Sequence, residues 1–151
     1  MRLSIIAIGK INDAPLRGLI DDYYQRMHRY ARIQEFEIKD NASPAKLREQ
    51  VLKRISASSR CVALEVKGKS LTSPQLATRL QQHREQYGVG EELSFLIGGA
   101  YGLPPELHRH CHWQLSLSSM TLPHRLARLV LVEQLYRALS ILQGDPYAHE
   151  D

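Results

Sequence analysis

Leu93-Ser94-Phe95-Leu96-Ile97-Gly98-Gly99 decides the fold. The apolar run is too short for a buried helix and passes straight into a pair of glycines, which reads as a buried strand ending in a tight turn. The same pattern recurs on either side. Leu3–Ile8 is a continuous apolar run broken only by Ser4 and closed by Gly9, and Arg60–Val66 is a further buried strand. Ile33–Ile38 alternates enough to predict an outer strand with Phe36 and Ile38 facing in, and Trp113–Leu117 predicts the last strand.

Helical periods fill the intervals. Leu16, Leu19, Ile20, Tyr23, Tyr24 and Met27 share one face of a first helix, and Leu47, Val51, Leu52 and Ile55 supply the stripe of a second. Ser43-Pro44 and Ser73-Pro74 read as N-caps followed by proline in the first turn. A brief helix is expected over Pro105–Cys111, and a long one from about Pro123 to Gln143 stopping at Gly144. Strands alternating with helices predict an α/β fold with a largely parallel sheet and helices on both faces. With 151 residues and neither repeat nor linker, a single domain over 1–151 is expected.

A composition of 43% hydrophobic and 24% charged residues excludes a disordered or fibrous chain. No apolar run reaches the roughly 20 residues of a membrane span, and the N-terminus lacks the pattern of a secretory signal. Two cysteines, Cys61 and Cys111, make no disulfide scaffold, so the expected compartment is the reducing cytoplasm. Cys61, inside an apolar strand, reads as core. The net charge of +4 is uneven: residues 1–60 hold twelve Lys/Arg against seven Asp/Glu, the rest eight against nine. Arg17, Arg26, Arg29, Arg32, Lys46, Arg48, Lys53 and Arg54 are either solvated helix faces or a patch for phosphates. The last helix is apolar nearly all round, from Leu126 through Leu142, which predicts a second subunit covering what the sheet does not.

In open α/β sheets ligands bind beyond the carboxyl ends of the strands, and three such ends draw notice here. Leu96–Gly102 carries three glycines but not the spacing of a dinucleotide fingerprint. Ser116–His124 is a hydroxyl-rich loop feeding the last helix, either a polar ligand site or an elaborate N-cap. Leu64–Ser70 imitates the end of a P-loop, but Ala63 stands where that motif needs glycine, so no NTPase is expected. His108, His110, Cys111 and His112 offer at most two ligands on one helix face, and no metal site is expected.

Four motifs together carry a resemblance. Leu96-Ile97-Gly98-Gly99 with Gly102-Leu103, Ser116-Leu117-Ser118 with Met120-Thr121-Leu122-Pro123-His124, Glu133-Gln134-Leu135-Tyr136-Arg137-Ala138, and Pro146-Tyr147 resemble the RlmH family of SPOUT-class ribosomal RNA methyltransferases. The resemblance spans essentially the whole chain. It implies S-adenosylmethionine (SAM) as methyl donor, no metal, and N3 of pseudouridine 1915 in helix 69 of 23S rRNA as acceptor, on the assembled ribosome. It also implies a cytoplasmic homodimer with a C-terminal trefoil knot, binding neither membrane nor DNA.

By position, the resemblance places cofactor contacts at Leu64, Gly99, Ser118, Ser119, Met120, Thr121, Leu122 and Pro123. Methyl transfer from a sulfonium needs an aligned nucleophile, and an imide N–H needs its proton removed first. The candidates are His149 as proton acceptor or base-edge contact, Tyr147 as a stacking or orienting group, and Arg137 for anion stabilisation; His124 stands beside the cofactor loop. The tail departs from the family's Pro-Tyr-His ending by reading Pro146-Tyr147-Ala148-His149, a displacement of up to ~3.5 Å in extended chain. A protein that kept this fold as a non-catalytic RNA- or ribosome-binding module, or a SPOUT enzyme acting on another nucleotide, would differ in SAM affinity or in the base modified.

Overall fold

Leu3–Ile8 is buried on both faces because its strand lies inside a sheet, and the rest of the architecture is arranged around it. The computed structural model describes residues 1–57 and 59–149. Its strands are β1 (Arg2–Ile8), β2 (Arg32–Ile38), β3 (Arg60–Ser70), β4 (Glu92–Ile97) and β5 (Trp113–Ser116). They form a five-stranded sheet ordered β2-β1-β4-β3-β5, parallel at every pairing. The expected outer strand is therefore an edge strand, and it keeps Arg32 and Gln34 exposed.

Helices α1 (Ala14–Met27), α3 (Ser73–Tyr87) and α5 (His124–Gln143) cover one face; α2 (Pro44–Leu52) and α4 (Pro105–His110) cover the other. Each face has its own core. Ile20, Met27, Leu76, Leu80, Leu131 and Leu135 pack on Ile5, Val62 and Phe95, while Leu47, Val51, Leu103 and Leu107 pack on Ile6, Ile8 and Leu96. The alternation of side chains along each strand feeds the two cores in turn.

Three details differ from the sequence reading. The cap of α3 is Thr72, not Ser73: Thr72 and Gln75 form a reciprocal capping box, which frees the Ser73 hydroxyl to donate to Gln134 Oε1 at 2.6 Å and tie α3 to α5. The strand expected to end at Val66 continues to Ser70. Leu64 and Lys69 both stand opposite Leu115, so residues 65–68 bulge out of the ladder. Finally, α5 packs against both α1 and α3 as well as the sheet. Much of its apolar girth is thus covered within one chain, with Leu126 the large apolar side chain of α5 left exposed, at 41%. Its breadth of apolar surface does not by itself require a second copy.

Arg128, on α5, is fully buried and ion-paired to Glu37 of β2, and it donates to the Gly9 carbonyl at 3.0 Å. Glu35 lies 3.6 Å from it and accepts from Arg17 at 2.6 Å and from the Tyr24 hydroxyl. Burial and the Glu35 charge push the Tyr24 phenol far above its ordinary range. This network fastens the first turns of α5 to the carboxyl ends of β1 and β2, the edge of the sheet where the candidate site lies.

Candidate active site

The carboxyl ends of β3, β4 and β5 converge on one cavity of about 540 Å³, within the roughly 300–1,000 Å³ usual for small-molecule sites. Each wall has a local cause. The bulge in β3 turns Glu65 and Val66 out of the ladder, and with Leu64, the last residue paired before it, they line the cavity. After β4 the chain folds back so tightly that Gly99 and Gly102 form an isolated bridge, with the Gly102 amide donating to the Gly99 carbonyl at 3.1 Å. A Cβ on Gly98 would sit 2.5 Å from the Gly102 carbonyl carbon, so only glycine fits there.

Gly99 is also constrained from behind the cavity. A Cβ there would meet the Asp40 carboxylate at 2.2 Å and the Ile8 side chain at 3.1 Å. Asp40 Oδ2 accepts from the Ala100 amide at 3.3 Å, and so pins the glycine turn from behind. Spacing along the chain gave no sign of Asp40, because its partner lies sixty positions away in the turn after β4.

The third wall is the loop from β5 to α5. Ser118 Oγ accepts from the Met120 amide at 2.9 Å, and Ser116 Oγ donates to the Ser118 carbonyl at 3.0 Å. These hydroxyls are spent on shaping the loop. They do not cap α5, whose N-cap is Pro123 and makes no side-chain cap hydrogen bond. The elaborate N-cap is therefore not what the loop is for. Leu117, Ser118, Met120, Thr121, Leu122 and Pro123 line the cavity; Ser119 is exposed and does not.

Of the eight cofactor candidates, Leu64, Gly99, Ser118, Met120, Thr121, Leu122 and Pro123 surround the same space. Two lining side chains carry ionisable groups. His124 stands at the mouth of α5 beside Gly9, and Glu65 pairs with His108 Nε2 at 2.8 Å. Glu65 was not singled out by sequence, since the bulge that presents it has no local signature.

The catalytic candidates lie elsewhere. Arg137 is ten residues past Ala127 on α5, about 15 Å along the axis, toward the opposite edge of the sheet. It pairs with Glu133 at 2.8 Å and stacks on the Tyr147 ring at 5.0 Å. The Tyr147 hydroxyl donates to Glu133 at 2.9 Å and lies 3.2 Å from the Tyr23 hydroxyl; burial and these two partners push its phenol well above the usual range. Pro146–His149 is a 3-10 turn rather than extended chain. The extra residue before His149 therefore moves the imidazole by about 2 Å and turns it by about a third of a circle. His149 is exposed. Within one chain the structure brings Tyr147 and Arg137 together, and does not bring either to the cavity.

The basic residues of the first sixty positions form no single patch. Arg17 pairs with Glu35 and Asp21, Arg26 with Asp22, Arg29 with Asp145 and Lys53 with Glu49. Those on α1 and those on α2 face opposite sides of the sheet. Among the described residues no group of three or more His, Cys, Asp or Glu could hold a metal ion, and no helix is long and apolar enough to cross a membrane. His112, expected beside His108 on a helix face, has left the helix and accepts from the Cys61 amide through Nδ1 at 3.0 Å.

The family model described as "Predicted SPOUT methyltransferase" matches residues 1–149. A ribosomal RNA large subunit methyltransferase H from Sorangium cellulosum is 47% identical over 99% of this chain and all of its own length. The chain belongs to the RlmH family of SPOUT methyltransferases. The protein of the same name from Polynucleobacter asymbioticus is 43% identical, again over 99% of this chain and all of its own. The fold itself recurs in more distant structures. A probable methylase family protein from Haemophilus influenzae superposes with a TM-score of 0.57 at 14% identity, covering 95% of this chain and 69% of its own. The SpoU methyltransferase AviRb from Streptomyces viridochromogenes, in complex with AdoMet, gives 0.52 at 11% identity, covering 95% and 59%.

Proposed function

We propose that this RlmH-family chain is a SAM-dependent methyltransferase of large-subunit ribosomal RNA, acting on N3 of a pseudouridine in 23S rRNA within the ribosome, as a cytoplasmic homodimer with a trefoil-threaded C-terminal segment. One observation carries the reading: three strand ends far apart in sequence close around a single nucleoside-sized cavity. Its lining suits SAM. Leu64, Leu115, Leu117 and Leu122 offer an apolar slot for a flat base, and the glycine turn and the 117–123 loop surround that slot with backbone donors and acceptors. Glu65 is a carboxylate on the wall, of the charge that complements a cationic centre.

SAM supplies an electrophilic methyl group on a sulfonium, which needs no metal. The chain's own residues must align the acceptor nitrogen and handle its proton. Tyr147 and Arg137 form a preassembled pair in which a guanidinium lies over a phenol ring, suited to orient a heterocycle and to stabilise its anion. His149, exposed at the end of the same turn, is the proposed proton acceptor or base-edge contact. Because this set lies about 15 Å along α5 from its own cavity, the reading requires that a second copy bring its tail to the first copy's cavity. A two-fold arrangement satisfies both sites at once.

Calorimetric titration with SAM tests the cofactor, and mass mapping of rRNA from a deletion strain identifies the base. A protein without SAM affinity would be a binding module of the same fold. If His149→Ala leaves single-turnover methylation unchanged while His124→Ala abolishes it, the proton passes to the histidine at the cavity instead.

A further inference from the structure

Cys61 and Cys111 stand fifty positions apart in sequence, yet their Sγ atoms lie 2.7 Å apart. Two unbonded sulfurs settle at roughly 3.6 Å, well outside that separation, whereas a disulfide closes at about 2.05 Å. Bonding thus needs an approach of about 0.7 Å, less than the movement needed to relieve the contact. The backbone favours it too. The His112 amide donates to the Cys61 carbonyl at 2.8 Å, and the Cys61 amide donates back to His112 Nδ1, so the residue next to Cys111 is tied on both sides to Cys61. One chain step of at most about 3.5 Å from a residue held at about 4.8 Å leaves the two Cα atoms about 6 Å apart, within the 4.4–6.8 Å of natural disulfides.

We propose that Cys61 and Cys111 are a thiol-oxidation site, converted by a peroxide into an intramolecular disulfide. Exposure assigns the roles. Cys111, half-exposed at the end of α4, meets the oxidant; Cys61, fully buried, resolves it. Cys111 sulfur attacks one peroxide oxygen, breaking the O–O bond and giving a sulfenic acid and one water. Cys61 sulfur then displaces hydroxide from that sulfenic sulfur; with the Cys61 proton it leaves as the second water. Two thiols are oxidised and one peroxide is reduced, with no other reactant. Contact with Cys111 and burial both keep the Cys61 thiol protonated until its partner is oxidised, in keeping with this order.

The bond would staple α4 to β3. Cys61 shares a core with Leu103 and Leu107, which Cys111 packs against, and Leu103 lines the cavity. Oxidation therefore fixes the helix that follows the glycine turn.

The test uses the full chain, first reduced and then treated with hydrogen peroxide, and it does not depend on the methyltransferase reading. Intact mass should fall by about 2 Da, titratable thiols should go from two to none, and a proteolytic map should join the Cys61 and Cys111 peptides, all reversed by dithiothreitol. Closing a loop of this length should raise the melting temperature by roughly 5–10 °C. In Cys61→Ala, dimedone should trap a sulfenic acid on Cys111 with no loss of mass, while Cys61 in Cys111→Ser should stay unreactive. Mass gains from oxygen on Cys111 in the wild-type chain with Cys61 still a thiol, or a disulfide between chains, would overturn the proposal.

Discussion

At its first turn α5 borders an apolar cavity walled by leucines, glycines and loop backbone, whereas its second half packs with α1 and the tail into a set of tyrosines, arginines and two carboxylates. The first region is concave and built from loops that the sheet brings together. The second is convex, local to α1, α5 and the tail, and already satisfied: Tyr30 and Arg29 bond Asp145, and Tyr147 and Arg137 bond Glu133. A cavity whose ionisable wall groups are His124 and Glu65, and a tyrosine–arginine–carboxylate cluster outside it, are the two halves that the proposed methyl-transfer site would join. On the proposed reading, neither half is complete within a single chain.

The contrast can be broken most heavily at the frame that holds the cavity end. Arg128→Ala removes a fully buried guanidinium and leaves Glu37 and the Gly9 carbonyl without its bonds; it should cost about 2–4 kcal/mol, read as a drop in melting temperature of roughly 10 °C. Next, Ala127→Trp should fill the cavity and weaken SAM binding at least ~100-fold by calorimetry, with the fold retained by circular dichroism. At the other end, Tyr147→Ala should lower methylation of ribosomes by about 10–100-fold while SAM affinity stays within about twofold. A drop in SAM affinity there would erase the division between the two ends. Mixing Ala127→Trp with Tyr147→Ala sharpens it: exchange of subunits should restore about a quarter of wild-type activity if tails cross between copies, and none if each tail serves its own chain.

The smallest effect is one of pH. Burial of Glu37 alone would raise its carboxyl pKa, but the Ile11 amide and Arg128 outweigh burial and hold it below the ordinary value. Its contribution to stability is therefore complete above the unfolded-state pKa of about 4.3 and is lost as pH falls through the lower folded value. Melting temperature against pH should fall more gently below about pH 4 in Glu37→Gln than in the wild-type chain.

Strands and helices were legible because their signals are local. The run Leu3–Ile8, the glycines after Ile97 and the proline after Ser43 each fix a boundary within a few residues. The parallel sheet followed from their alternation. What stayed hidden depends on distant parts of the chain. The bulge at 65–68 is visible only against Leu115, the fit of Gly99 only against Asp40, and the flanking of α5 only once α1 and α3 are docked. Charge was the least informative signal, since Arg17 and Arg29, two of the arginines that suggested a patch, pair with carboxylates distant in sequence. The cofactor candidates were gathered by likeness to a family, and the cavity gives seven of those eight a common surface.

One edge of the sheet is polar, with Arg32 and Gln34 projecting from β2, and the other is closed by a strand of four residues. An incoming chain finds no long apolar ladder to extend at either border, which guards against fibrous growth. Self-association by this molecule is consequently steered toward its helical flanks, where a mate can be exchanged without unzipping any backbone pairing.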